Sequence, residues 1–330
     1  MSKTKKLVLF WGLFLLVFIT LLVLATLYDY QISELLTGNG LHDGNYYSSN
    51  VFGIIFEIIG EMPLYIFVSF ATVILINKSL QINKKGLKIM FVIILFVFGT
   101  ISNLYGWYKL GGYLAKIYPE SSFCSILHDH MIVYGVYFLM SACLEFVLFY
   151  LFKTKLSKYN DKLVPLAFII LLCAAISQGI VQAIKPLFGR ERFRAIYYFT
   201  NLGVDHPGFS KWYVMNGNSS KIVQPYLVYD GVTKDFFKSF PSGHTTAAGI
   251  VYSLIFVPFL YEKFSSKKSL LIFTIVPIFI TGLVATARIV MGAHYLSDVL
   301  IGGTVAFLSS IAAYYLTKLL NKKLNFMEVK

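Results

Sequence analysis

Long apolar runs recur along this chain more often than a water-soluble fold could bury them, and they fix its class before any motif is considered. Runs of spanning length fall near residues 7–27, 51–76, 89–114, 131–152, 164–186, 245–262, 270–288 and 299–320. A bilayer core about 30 Å thick is crossed by roughly 20 apolar residues of α-helix, which satisfies its backbone hydrogen bonds internally. The expectation is an all-α, polytopic membrane bundle of about eight transmembrane helices. A hydrophobic share of 57% against 14% charged residues excludes an ordinary soluble domain. The first run follows Lys3, Lys5 and Lys6 and is longer than a signal-peptide core, so it reads as a retained anchor. No lipidation signal is evident, and no internal repeat stands out.

The formal charge of +13 would suit a nucleic-acid partner, but the lysines lie in short clusters between apolar runs, where membrane orientation explains them better. Nucleic acid is therefore not an expected partner. Lys3, Lys5 and Lys6 precede the first run; Lys78, Lys84, Lys85 and Lys88 follow the second; Lys153, Lys155, Lys158 and Lys162 follow the fourth. Lys263, Lys267 and Lys268 follow the sixth, and Lys318, Lys322, Lys323 and Lys330 follow the eighth. All of these fall on one side, which predicts a multi-pass cell-membrane protein with both termini cytoplasmic. The loop from Tyr28 to Asn50 carries Asp29, Glu34 and Asp43 without a Lys or Arg, and the loop near 115–130 holds one lysine, so both are expected to face outward. The outward stretch from Pro186 to Phe240 breaks the rule, with Arg190, Arg192, Arg194, Lys211, Lys221, Lys234 and Lys238 among many aromatics, including Phe193, Trp212 and Phe236. A lid or lipid-contacting surface and an ordinary loop with aromatic packing are both open readings of it.

Three polar clusters share that outward face. Lys185 through Arg192 closes the fifth run; Pro241, Ser242, Gly243 and His244 open the sixth; Arg288, His294 and Asp298 link the seventh to the eighth. An odd number of crossings between clusters would have separated them across the membrane. Arginine offers a planar donor fork for phosphate oxygens and lysine a compact charge, so Lys185, Arg192 and Arg288 would hold a phosphate. The N–H groups of Ser242, Gly243 and His244 at a helix start would add donors, with the Ser242 hydroxyl. His294 and Asp298 are spaced i, i+4; the carboxylate would orient the imidazole so that its other nitrogen attacks phosphorus. His244 would protonate the departing oxygen and then help activate water. No metal and no other cofactor is required, because three cations and a helix terminus would stabilise the transferring group.

These residues resemble the type 2 phosphatidic acid phosphatase (PAP2) superfamily, whose signature joins K-x6-R-P, P-S-G-H and S-R-x5-H-x3-D. All three occur in order, as Lys185 to Arg192, Pro241 to His244, and Arg288, His294 and Asp298. The resemblance implies the roles given above: His294 as nucleophile, Asp298 as its partner, His244 as acid, and Lys185, Arg192, Ser242, Gly243 and Arg288 around the phosphate. Phe193 stands at the family's proline and Ala287 at its serine; Arg190 offers an alternative or additional phosphate contact. The resemblance covers residues 89–320 as a six-helix catalytic core, leaving 1–88 as an additional two-helix membrane region and 321–330 as a cytoplasmic tail.

The substrate class implied is a lipid phosphate monoester or diphosphate, such as phosphatidic acid, phosphatidylglycerol phosphate or polyprenyl diphosphate. A water-soluble phosphate ester is an alternative, as is a non-catalytic lipid-phosphate transporter or binding protein; vanadium-dependent haloperoxidases use a similar anion site but are not polytopic. The oligomeric state is not readable. Glu57 and Glu61 are placed four residues apart on one face of the second helix, as a route for a cationic headgroup or proton, as partners of other helices, or outside a helix that starts later. Gln178 and Gln182 suit interhelical hydrogen bonds. His128, Asp129 and His130 lack metal-site spacing, Asn218 to Ser220 match a glycosylation acceptor but read as a solvated turn, and Cys124, Cys143 and Cys173 suggest no disulfide framework.

Overall fold

A computed structural model of the protein describes residues 3–41, 46–229 and 231–324, with side chains for 15–322 apart from 39, 42–45 and 230. Asp43 and Lys330 lie outside the described residues, as do the side chains of Lys3, Lys5, Lys6 and Lys323. Thirteen α-helices occur among the described residues, with no strand: α1 (Lys3–Thr37), α2 (Val51–Ile59), α3 (Met62–Ser79), α4 (Lys85–Ile117), α5 (Ser122–Asp129), α6 (Met131–Leu151), α7 (Asn160–Phe188), α8 (Phe193–Asn201), α9 (Ser219–Ile222), α10 (Gly243–Ala248), α11 (Val257–Leu260), α12 (Lys267–Val290) and α13 (Leu296–Leu324). Seven stretches are long and apolar enough to cross a membrane, so the protein is an all-α polytopic bundle. The fourth of these, Met131–Asn201, carries both α6 and α7, joined by short π and 3-10 turns over Phe152–Tyr159. The predicted segments 131–152 and 164–186 therefore fall within one run. Large apolar side chains stay uncovered along α4, α6 and α12, Phe279 being 62% exposed, which suits contact with hydrocarbon rather than water.

Two predicted elements differ in ways that matter for the site. α1 is two helices joined across a kink at the non-helical Tyr28 (φ −127°, ψ 19°), so the predicted helix to residue 27 is followed not by a loop but directly by a second helix to Thr37, where Gly38 at φ +51° turns the chain away. Residues 28–37 contain neither Gly nor Pro, so helix resumes after the kink, and Asp29, predicted in an outward acidic loop, is a buried helical residue. The second predicted helix is two, because Gly60 and Pro63 interrupt it, and Glu61 sits at the N-cap of α3 instead of sharing a helix face with Glu57.

The chain forms two compact units. One comprises residues 1–54, 180–243 and 285–304; the other comprises 55–179, 244–284 and 305–330. In the second, buried residues of α3 (Ala71, Ile74) and α7 (Ile169, Ile170) share one apolar core with Ile250, Val251 and Ala313. The first unit buries Phe199, Phe236 and Phe237 with Val223 and Val232, and separately Phe193, Leu41 and Tyr295. The aromatic stretch after Pro186 is thus largely occupied with its own packing; Tyr213, at 57% exposed, is an exception.

Candidate active site

Within the first unit, the K-x6-R cluster is shaped by the end of α7. Lys185 lies in its last turn and donates through Nζ to the Pro241 carbonyl at 3.3 Å. Gly189 then adopts φ +49°, and a Cβ there would stand 2.5 Å from the Gly217 carbonyl oxygen, so only glycine fits this turn. The following backbone is held from both sides: Ser239 N–H donates to Arg190 O at 3.0 Å, Arg192 N–H to Phe236 O at 2.9 Å, and Arg194 N–H to Gly292 O at 2.8 Å.

The three arginines in this stretch have different environments. Arg190 is fully buried and spends its donors on carboxylates: Nη1 reaches Asp298 Oδ1 at 2.6 Å and Ser297 Oγ at 2.8 Å, Nη2 reaches Asp29 Oδ2 at 2.9 Å, and Nε reaches Ser210 O at 2.9 Å. Its guanidinium also lies over the Tyr295 ring at 4.1 Å. The alternative reading of Arg190 as a phosphate contact is therefore corrected, since two buried anions already occupy its fork. Arg194 lies 4.5 Å from the rings of both Tyr46 and Tyr47. Arg192 is 7% exposed, and its Nε has no hydrogen-bond partner among the described residues. A buried guanidinium N–H of that kind suits an anionic oxygen.

The third cluster forms where α12 gives way to α13. Arg288, 1% exposed, lies in the last turn of α12, and its carbonyl accepts from the N–H groups of Ala293 and His294 at 3.1 and 3.2 Å. Gly292 supplies the left-handed residue of that turn at φ +62°. His294 precedes α13 rather than lying on it, so the i, i+4 relation arises from a cap. Asp298 is in the first turn, and its Oδ2 accepts from the Tyr295 N–H at 2.9 Å, as an acidic residue at N3 does in a capping box. The same oxygen accepts from Ser239 Oγ at 2.5 Å and stands 3.5 Å from His294 Nδ1, at the outer edge of hydrogen-bonding range. Burial holds the His294 pKa well below the ordinary histidine value; Asp298 opposes this, while the cations of Arg192, Arg288 and Lys185 add to it. The outcome is a neutral imidazole facing a cationic surround.

At the second cluster, Phe240–Pro241 is a cis peptide and Ser242 is buried. The Ser242 N–H donates to the Asp298 backbone carbonyl at 3.0 Å, so this predicted phosphate donor is already engaged. Gly243 begins α10, and a Cβ there would lie 3.5 Å from Lys185 Nζ. The first unit thus brings together Lys185, Arg192, Ser242, Gly243, Arg288, His294 and Asp298.

His244 belongs to the second unit, where Nε2 lies 3.1 Å from the Glu57 carbonyl oxygen and Nδ1 lies 3.2 Å from Glu61 Oε1. A carboxylate partner for His244 was not foreseen, and neither was Asp29, which accepts from the Ser297 N–H at 2.9 Å as well as from Arg190. Asp29 and Arg190 are 161 residues apart, and no short motif spans that distance.

The remaining predicted polar features have local roles. His128 Nδ1 pairs with Asp129 Oδ1 at 2.8 Å, and no group of three potential metal ligands occurs among the described residues. Asn218 caps α9 by accepting from the Ser220 N–H at 2.8 Å. Phe193, at the family's proline position, packs against Tyr30 with ring centroids 5.3 Å apart, and Ala287 is fully buried in α12.

No curated protein and no solved structure matches the chain. A family model does match, over residues 163–322, and this span holds all three polar clusters. That match identifies residues 163–322 as a PAP2 superfamily region.

Proposed function

We propose that the protein is an integral membrane phosphatase that hydrolyses a lipid phosphate monoester or diphosphate at the outer membrane face through a phosphohistidine on His294. The observation that carries this reading is the buried His294 beside Asp298, with Lys185, Arg192 and Arg288 close enough to disfavour its charged form. A neutral imidazole keeps the lone pair that attacks phosphorus, and the three cations stabilise the charge that gathers on the equatorial oxygens. As the P–N bond forms, the imidazole becomes cationic and Asp298 stabilises it. His244, joined to Gly243 by one peptide bond, gives its proton to the leaving oxygen and later takes one from the attacking water. Arg190 contributes indirectly by holding Asp298. The seven apolar spans support a lipid substrate over a soluble ester.

Phosphate release by the purified protein in lipid, across phosphatidic acid, phosphatidylglycerol phosphate, polyprenyl diphosphate and soluble esters, tests this directly. Activity on the lipids that vanadate inhibits and His294→Ala abolishes is expected. Undiminished activity in His294→Ala would end the nucleophile assignment, and a preference for soluble esters would end the lipid assignment. Single cysteines at Ser220 and Ser266 test the sidedness: in intact cells, an impermeant thiol reagent is expected to label the first and not the second.

A further inference from the structure

We propose that Glu61, contributed by the interrupted helix α2–α3, is the positioning residue of His244 and fixes which leaving groups the enzyme can expel. The proposal rests on the phosphatase reading above, since it concerns the proton donor of that reaction. All of its geometry lies within the second unit.

Both ring nitrogens of His244 face oxygen. The Glu57 carbonyl only accepts, so Nε2, 3.1 Å away, carries a hydrogen. Nδ1 is 3.2 Å from Glu61 Oε1, and two lone pairs at that separation would repel, so a second proton lies between histidine and carboxylate. The pair therefore stores one proton more than a neutral imidazole beside a carboxylate, which is the state a general acid needs. The carboxylate is itself anchored. The Tyr113 hydroxyl donates to Oε1 at 3.2 Å, the Tyr65 hydroxyl donates to Oε2 at 3.1 Å, and Lys109 Nζ stands 3.9 Å from Oε2. The Tyr113 ring lies 5.1 Å from the imidazole, centroid to centroid. The helix break makes this approach possible: a Cβ at Gly60 would come within 3.4 Å of His244 Cδ2 and 3.2 Å of Val284 Cγ1. Glu61, Tyr65, Lys109 and Tyr113 all precede the span matched by the family model, so the N-terminal part of this chain adds to the chemistry.

When the bond from phosphorus to the leaving oxygen breaks and the bond to His294 Nε2 forms, the His244 Nε2 proton passes from its resting place on the Glu57 carbonyl to the leaving oxygen. Nδ1–H stays on Glu61, which stabilises that neutral tautomer as the carboxylate of a catalytic triad does. Water then attacks phosphorus, gives a proton to Nε2, and the P–N electron pair returns to His294. Glu61 touches no reacting atom; in the first step, the transfer of phosphorus to His294, its effect appears only where the leaving oxygen needs a proton, whereas in the second step it bears on every substrate alike.

The test compares wild type, Glu61→Gln and Glu61→Asp on two esters with the same dodecyl chain, one leaving as an alkyl alcohol and one as a nitrophenol that departs without protonation. Vanadate binding serves as the check on fold. Glu61→Gln is expected to lower kcat/KM, which reports the step that expels the leaving group, at least tenfold on the alkyl ester and less than twofold on the nitrophenyl ester, with partial rescue in Glu61→Asp. Equal losses on both esters, or no loss on either, would overturn the proposal while leaving the phosphatase reading intact. Loss of vanadate binding in both variants would also overturn it, because Glu61 would then serve the fold. Wild-type protein that releases phosphate from neither ester would defeat the phosphatase reading, and this inference with it.

Discussion

Arg190 Nη1 donates to Asp298 Oδ1 at 2.6 Å, and both side chains are fully buried. The same guanidinium holds Asp29 at 2.9 Å, so one cation lies between two buried carboxylates. Replacing Arg190 by Met leaves both carboxylates without their counter-charge, at a cost of about 3–5 kcal/mol. Thermal unfolding in detergent is expected to show this directly. Asp29→Asn, which keeps an acceptor for the Arg190 fork, is expected to cost only about half as much. Losses of equal size in the two variants would show that Asp29, rather than Asp298, is the main partner of Arg190.

The legibility of this chain followed the range of its interactions. Apolar runs and the three motifs are local patterns, so the helical class and the cluster of Lys185, Arg192, Arg288, His294 and Asp298 could be read from residue type and spacing alone. Arg190 was misjudged because its type permits a phosphate contact, and only the fold shows that Asp29 and Asp298 occupy it. Asp29 was misplaced for a related reason: a charge near a helix end reads as the start of a loop until a buried partner is known. The break at Gly60 and Pro63 was visible in sequence, but high hydropathy on both sides masked it.

His294 sets a pH dependence whose sign can be worked out. Its folded pKa is held below the ordinary value of 6.5 by burial and by nearby cations. The unfolded chain therefore takes up a proton first as pH falls, and the folded state loses relative stability below about 6.5. That contribution is fully present above 6.5. Denaturant titrations at pH 7.5 and pH 5.5 are expected to show a lower stability at the acidic value, with the difference reduced in His294→Gln. An unchanged difference in the variant would assign the acid sensitivity to other groups.

Gly189 is the turn on which the arginine stretch depends. At φ +49° an L side chain is strained, and a Cβ would press on the Gly217 carbonyl at 2.5 Å. Gly189→Ala is expected to cost at least about 1–2 kcal/mol, from the left-handed backbone alone. Because Arg190 follows directly, the variant should also reduce vanadate affinity, measured by titration, whereas Gly203→Ala, also at positive φ but with open space around its Cβ position, should leave that affinity unchanged.

Within the second unit, Glu145 is fully buried on α6 and ties three helices together. The Thr72 hydroxyl of α3 donates to Oε1 at 2.6 Å, and Asn103 Nδ2 of α4 donates to Oε2 at 3.3 Å. Gly99 allows α4 to come this close, since a Cβ there would lie 2.3 Å from Glu145 Oε1. Glu145→Ala leaves the buried Asn103 amide without its acceptor, at a cost of about 1–3 kcal/mol, while the Thr72 hydroxyl keeps the Ser69 carbonyl at 2.8 Å. Glu145→Gln keeps an acceptor for Thr72, and reorienting the Asn103 amide lets its oxygen accept from the new NH2, so the variant should stay within about 1 kcal/mol of wild type. Thermal unfolding of the two variants separates hydrogen bonding from charge. If Glu145→Gln unfolds as readily as Glu145→Ala, the carboxylate is held for its charge and the hydrogen-bond account fails; if it keeps the wild-type midpoint, the three helices are joined by neutral hydrogen bonds.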